Sequence, residues 1–323
     1  MSHISDHIAI IVRICGTAYK YLELGHNLMK TKEKTRRYGS GLQGQENPAD
    51  RGAPVDWRPP AAHYLPDDFA DDRQFAATLA RGLEVLHCFT PRDTQLGNAE
   101  LAARTGMAKA TVSRFTYTLV RLGFLRINRV SGKYQLGPAV LSLGYPLLSS
   151  LNIRQIARPF MKELADSVRG SVSLGMRDRL SVVYVESSRG DPPRIQPPDV
   201  GLIYPVARTA MGRALLAAYS REDRDALINE IKVKTPEDWK SFQRQITESI
   251  RDYQEHGFCV SYGDLRREVH AVAVPMRSMA DGTILVFNCG VSAFLLSEGQ
   301  LTGDIGPRLV SMVRSVEAML GMP

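Results

Sequence analysis

The chain has 323 residues, 41 Lys/Arg against 34 Asp/Glu, a formal net charge of +7 and 44% hydrophobic residues. That supports real cores in about two domains and excludes a wholly disordered chain. Four scattered cysteines (Cys15, Cys88, Cys259, Cys289) include no CxxC pair, which argues for a reducing, cytoplasmic compartment and against a disulfide scaffold or a zinc site. Ile8 to Ile14 is too short for a leader, Arg13 interrupts it, and no run is long enough to span a membrane. Residues 1–72 pass from a basic tract (Lys30 to Arg37) through a Gly-, Pro- and Gln-rich run to an acidic stretch (Asp67 to Asp72). This pattern predicts a flexible extension. Gly39 to Gly44 formally fits GxGxxG, but no strand precedes it and no helix pattern follows, so no dinucleotide cofactor is expected.

Phe75 to Phe89 carries apolar residues at helical spacing. Asn98 to Leu122 then reads as helix, tight turn and second helix. Asn98 is a candidate N-cap, and Glu100 suits the positive helix end. Ala102 allows a close crossing, and Gly106 allows the positive φ of a sharp stop. The second helix starts near Ala108, with Val112, Phe115, Leu119 and Leu122 as its buried stripe. Lys109, Ala110, Thr111, Ser113, Arg114 and Tyr117 are left for base edges or phosphates in the major groove. An ordinary helical hairpin with a solvated face is the competing structure. Phe124 to Leu136 alternates around Ser131-Gly132 as a hairpin, which makes it a wing, with Arg129 and Lys133 near its tip. Arg81 on the preceding helix is a further phosphate candidate. Residues 73–137 hold ten Lys/Arg against three Asp/Glu, a net +7 equal to that of the whole chain. The charge excess therefore coincides with the proposed double-stranded DNA module.

Residues 138–170 read as linker helices interrupted by Pro146 and Pro159, with an apolar stripe suited to a second copy of the chain. Residues 171–323 form a second domain. Strands are expected at 171–176, 180–186, 258–262, 269–276 and 283–290, and helices at 209–219, 221–231, 241–256 and 301–320. Hairpins with helices grouped between them predict an α+β fold on an antiparallel sheet.

No GxSxG, HExxH or P-loop string occurs, and His87, His256 and His270 have no metal-ligand spacing. Neither a catalytic site nor a metal or other cofactor is expected. Two weak catalytic candidates remain, His270 beside Glu268 as a base and Cys289 as a nucleophile; chance spacing and a small buried cysteine explain them better. A purely architectural DNA binder is the other alternative, disfavoured by a second domain of this size.

The winged segment, YQLGPAVLSLG (Tyr134 to Gly144), IRQIARPFMKELADSVRGSVSLGMRDRLSVVYVES (Ile153 to Ser187), YPVARTAMGRALLA (Tyr204 to Ala217) and HGFCVSYGDLRREVHAVAVPM (His256 to Met276) follow one another in order. On them the chain, over roughly residues 73–321, resembles the IclR family of bacterial transcriptional regulators. The resemblance implies a winged helix-turn-helix domain, a linker helix and a GAF-like effector domain. It also implies a homodimer or homotetramer on a DNA operator, switched by a small organic acid. The effector positions it implies are Met176, Ala210, Met211, Ser261, Ala271, Phe287 and Cys289. Against the usual pattern, Glu268 replaces a glycine, Ala271 a cysteine and Phe287 a small polar residue. A more apolar pocket for a larger, aromatic acid is therefore expected. Arg177 and Arg208 are the candidates to pair with its carboxylate, since a planar guanidinium matches one.

Overall fold

The computed structural model describes Phe69 and residues 71–191, 198–277 and 281–322. The basic tract, the GxGxxG match and Cys15 lie outside the described residues. Helices α1 (Ala77–His87), α2 (Asn98–Thr105) and α3 (Lys109–Arg121) and the hairpin β1 (Leu125–Ile127), β2 (Tyr134–Leu136) form the head. Gly97, not Asn98, is the N-cap of α2, and its N–H donates to the Glu100 carboxylate at 2.7 Å. Asn98 instead donates its amide to the Lys109 carbonyl at 3.1 Å, tying α2 to the start of α3. Gly106 ends α2 at φ 68°, a conformation that costs glycine nothing.

The head core collects Val85, Phe89, Leu96, Leu101, Val112, Leu119 and Leu125. Thr116 takes the buried place expected for Leu122: its hydroxyl bonds the Val112 carbonyl at 3.0 Å, so it can be buried without an orphaned polar atom. Leu122 is exposed. In the wing Leu125 pairs with Leu136 and Ile127 with Tyr134, and Leu96 bridges to Tyr134 from the other side. The Asn128 side chain accepts from the Val130 and Ser131 N–H groups and shapes the wing tip.

Pro146 and Pro159 lie inside α4 (Ala139–Ser150) and α5 (Ile153–Val168) rather than ending them; the break falls at Leu151 and Asn152. Helix α5 buries Ile153, Ala157, Met161, Leu164 and Ala165, one stripe at helical spacing, whereas α4 buries none of its residues.

Six antiparallel strands follow: β3 (Ser171–Asp178), β4 (Ser181–Arg189), β5 (Ile203–Pro205), β6 (Cys259–Tyr262), β7 (Val269–Arg277) and β8 (Ile284–Ser292). Their order is β5-β4-β3-β8-β7-β6. One face packs on α5 and on α9 (Gly306–Met319), the other on α6 (Ala210–Ala218). Helix α8 (Pro236–His256) packs on α6, with α7 (Arg221–Lys234) beside it. Proline at N1 starts α8 five residues before the expected Ser241. The approach of α6 to the sheet needs Gly175, where a Cβ would come within 2.5 Å of the Met211 sulfur. Among the described residues no helix is long and apolar enough to cross a membrane.

Candidate functional site

Two surfaces carry the candidate residues. The first is the head. Lys109, Ala110, Ser113, Arg114 and Tyr117 are exposed on α3, and Thr111 is half-buried. Lys109 and Arg114 have no ion-pair partner among the described residues. Arg129 is exposed near the wing tip, and Arg81 is exposed on α1. Lys133 pairs with Glu100 at 2.9 Å, which fastens the wing to α2. Its ammonium, with the Gly97 N–H, holds the Glu100 carboxyl below the usual range. Arg121 and Arg126 are also exposed, on α3 and β1, although sequence reasoning counted them only toward the charge. Between α1, α3 and Leu143 of α4 lies an apolar groove of about 890 Å³ lined by Leu79, Leu83, Leu86, Phe115 and Leu122.

The second is a cavity of about 70 Å³ between the sheet and the N-terminus of α6. Ser171, Tyr184, Asn288, Gly290, Ala271 and Ser261 line its sheet side, and Thr209 and Ala210 its helix side. Thr209 caps α6 by accepting from the Gly212 N–H at 3.0 Å. Tyr204, Leu265, Arg266, Val269 and Pro198 complete the wall. Tyr184 and Tyr204 meet edge to face with centroids 5.5 Å apart; burial pushes both phenols up.

Of the expected effector residues, Ala210, Ser261 and Ala271 line this cavity. Met176, Phe287 and Cys289 do not. They point through the other side of the sheet into the core against α5 and α9. Burial pushes the Cys289 thiol up to about 12, which leaves a thiol unsuited to nucleophilic attack. Met211 is fully buried beneath Gly175. Arg177 lies over the Tyr219 ring at 5.3 Å, and Arg208 is bound by Asp238 at 2.7 Å, so neither expected arginine lines the cavity. His270 meets Tyr262 edge-on while Glu268 pairs with Arg266, and no ion pair joins the His270–Glu268 couple among the described residues.

The polar and aromatic wall residues missed from sequence are Ser171, Tyr184, Tyr204, Thr209, Arg266 and Asn288. Asn288 was one position away. β8 is buried along Ile284–Val291 on both faces, so no polar alternation marks which residues look toward α6. The strand loop carrying Arg266 is held by a long-range pair. Fully buried Arg213 of α6 donates to Asp264 at 2.7 Å and to the Val260 carbonyl at 2.9 Å, and the Ser261 hydroxyl donates to Asp264 at 2.8 Å. A buried carboxylate, Glu186 of β4, is met by Arg154 at 3.2 Å and Arg158 at 2.8 Å, and Arg154 also donates to the Leu148 carbonyl at the end of α4. Among the described residues no group of His, Cys, Asp or Glu could hold a metal ion.

Comparison with known proteins agrees with both halves. The family described as the IclR helix-turn-helix domain matches residues 78–128, and that described as bacterial transcriptional regulator IclR C-terminal matches residues 146–315. The chain is 36% identical over 245 residues to the HTH-type transcriptional regulator TsaQ1/TsaQ2 of Comamonas testosteroni, covering 75% of this chain and 87% of that protein. It is 26% identical to the Pca regulon regulatory protein of Pseudomonas putida over 77% of this chain and 85% of that one. The crystal structure of an IclR family transcriptional regulator from Brucella abortus superimposes with a TM-score of 0.70 at 44% identity, covering 78% of this chain and 95% of that chain. The winged head, the antiparallel sheet domain and these matches together mean that the chain belongs to the IclR family of DNA-binding transcriptional regulators.

Proposed function

We propose that the protein is a cytoplasmic dimer, or a pair of dimers, that reads an operator through α3 and is switched by a small organic acid in the cavity beneath α6. The observation that carries the reading is the outer face of α3. Lys109, Ser113 and Arg114 lie there exposed beside Tyr117, which is 67% exposed. Arginine can hold guanine through two bonds, and serine can reach bases or phosphates. Arg81 on α1 and Arg129 on the wing contact phosphates outside the groove that α3 enters. Lys133 acts through the Glu100 pair rather than as a free cation.

Dimerisation follows from the apolar surface of α1 and α4. Leu79, Leu83, Leu122, Leu141, Leu143 and Tyr145 are all exposed, and Leu79, Leu83, Leu122 and Leu143 share the groove described above. A two-fold pair sets two α3 helices about 34 Å apart, or a multiple of that, on one side of the duplex.

The cavity suits a compact acid. Its 70 Å³ corresponds to about two waters at liquid density, enough for the carboxylate end of an acid, so a larger body needs the walls to open. Two tyrosine rings supply apolar contact, and the α6 N-terminus supplies a positive dipole end. Such an acid shifts the heads only by binding one arrangement more tightly than the other.

The test is selection of bound duplexes from a random pool with purified full-length protein, with and without a panel of single-ring and aliphatic acids. Enrichment of an inverted repeat whose recovery changes with one class of acid is the expected result. A pool that stays random under every condition would refute operator reading, and a repeat unaffected by any acid would refute the switch.

A further inference from the structure

Resting on the reading of the cavity as an effector site, we infer that Glu186 and Arg154 tie that site to α4, so that a ligand which displaces Tyr184 also resets the hold on the helix that follows the wing. The link is built on one irregularity of the sheet. Along most of β3 and β4 the residues pair one to one, but the register steps from Leu174 opposite Glu186 to Gly175 opposite Tyr184. Val185 is the extra residue of a β-bulge and has no partner on β3. Regular alternation would put Tyr184 and Glu186 on one face of the sheet. With the bulge, Tyr184 lines the cavity on the α6 side, Val185 packs into the core against α5 and α9, and Glu186 turns to α5. The bulge thus takes a carboxylate off the cavity face, where it would repel an acid, and hands it to two arginines.

Arg154 extends the reach of that carboxylate to α4. One terminal nitrogen pairs with Glu186 at 3.2 Å, and the other donates to the Leu148 carbonyl at 2.9 Å. Leu148 is in the last turn of α4, where carbonyls lack an intrahelical partner. Because α4 buries none of its residues, an end contact of this kind weighs heavily in fixing its direction. The Glu186 side chain is 7% exposed and that of Arg154 18%, so salt screens the pair little. Arg154 Nε is buried with no hydrogen-bond partner. An idle buried donor is costly, and a small shift of β4 that brings it an acceptor gives Arg154 a second arrangement. Coupling between sites needs such an element with two arrangements. Arg158 meets the same Glu186 oxygen at 2.8 Å but is bonded to no residue of α4. Arg154 is therefore the positioning residue, and Arg158 the charge partner.

The test is hydrogen exchange of the α4 amides in the full-length protein, with and without benzoate, hexanoate or propionate, each also titrated by calorimetry. A bound acid should change α4 exchange in the unmodified protein about fivefold or more. Arg154→Met should hold acid affinity within about threefold while the α4 response falls below about twofold. Arg158→Met strips Glu186 of an arginine but spares the Leu148 bond, so it should respond like the unmodified protein. Should Arg154→Met fail to fold because Glu186 is left with one partner, Arg154→Met combined with Glu186→Gln removes the stranded charge and should show the same lost response. Tyr184→Leu perturbs the cavity end with no ligand present. It should shift α4 exchange when Arg154 is in place and not when it is methionine. A full α4 response without Arg154, equal shifts from Tyr184→Leu in both backgrounds, or a response lost equally in Arg158→Met would each overturn the inference. So would an acid that binds the unmodified protein and leaves α4 exchange unchanged. If none of the three acids binds, the effector reading falls, while the Tyr184→Leu comparison still decides the link between β4 and α4.

Discussion

The head and the sheet domain use most of their arginines differently, Arg104 of the head being an exception that pairs with Asp93 at 3.1 Å. In the sheet domain Arg154 and Arg158 meet Glu186, Arg208 meets Asp238, Arg213 meets Asp264 and Arg266 meets Glu268. In the head Lys109, Arg114, Arg121, Arg126 and Arg129 stand exposed with no ion-pair partner among the described residues. A cation already neutralised by a neighbour fixes backbone geometry. One neutralised only by solvent ions can release them on meeting phosphate, and that release drives DNA binding. Under the proposed function the two regions thus hold similar residues for different work, positioning in one and recognition in the other.

Breaking a positioning arginine should have the largest effect. Arg213→Ala leaves Asp264 without its guanidinium partner in a mostly buried setting and should cost about 3–5 kcal/mol of folding stability. Chemical denaturation measures this, and a loss below about 1 kcal/mol would mean that Asp264 finds water or another donor. Breaking a recognition arginine should leave stability alone. Arg114→Ala should weaken the selected operator by about 1–3 kcal/mol while barely changing affinity for random duplex, if the guanidinium holds a base. Equal losses on both duplexes would make it a phosphate contact.

Lys133 sharpens the comparison, because it is a head cation that behaves like one of the sheet domain's. With both partners of the Lys133–Glu100 pair open to solvent, Lys133→Ala should leave the denaturation midpoint nearly unchanged. It should also change the salt dependence of DNA binding less than Arg129→Ala, for which a reduction of the slope by about 1 is expected. A full unit of slope lost in Lys133→Ala would show that DNA pulls the lysine off Glu100.

The same contrast decides what could be read from the sequence. The head is built from local signals. Gly106, Ala102 and the Val112 and Leu119 stripe each state their place within a few residues, so α2, α3 and the wing fall close to their expected positions. The errors there are local: Gly97 rather than Asn98 is the N-cap, and Thr116 rather than Leu122 is buried. The cavity is built from non-local pairings. Ile284 to Val291 is apolar enough to be buried on either face, and only pairing with β3 and β7 turns Asn288 toward α6 and Phe287 away. The Arg213–Asp264 clamp spans 51 residues, and nothing near either residue announces it. Pro146 and Pro159 misled in the other direction: each lies inside a helix, so the proline marks no boundary.

The most direct measurement is the affinity of the acid-free protein for a duplex selected from the random pool, set against a shuffled duplex of equal length and composition at about 150 mM salt, where specific complexes exceed non-specific ones by about a thousandfold or more. A ratio of that size, collapsing when Lys109, Ser113 and Arg114 are replaced together by alanine, is the expected result. Equal affinity for the two duplexes, or a ratio untouched by that triple replacement, would contradict the assignment of sequence reading to the outer face of α3.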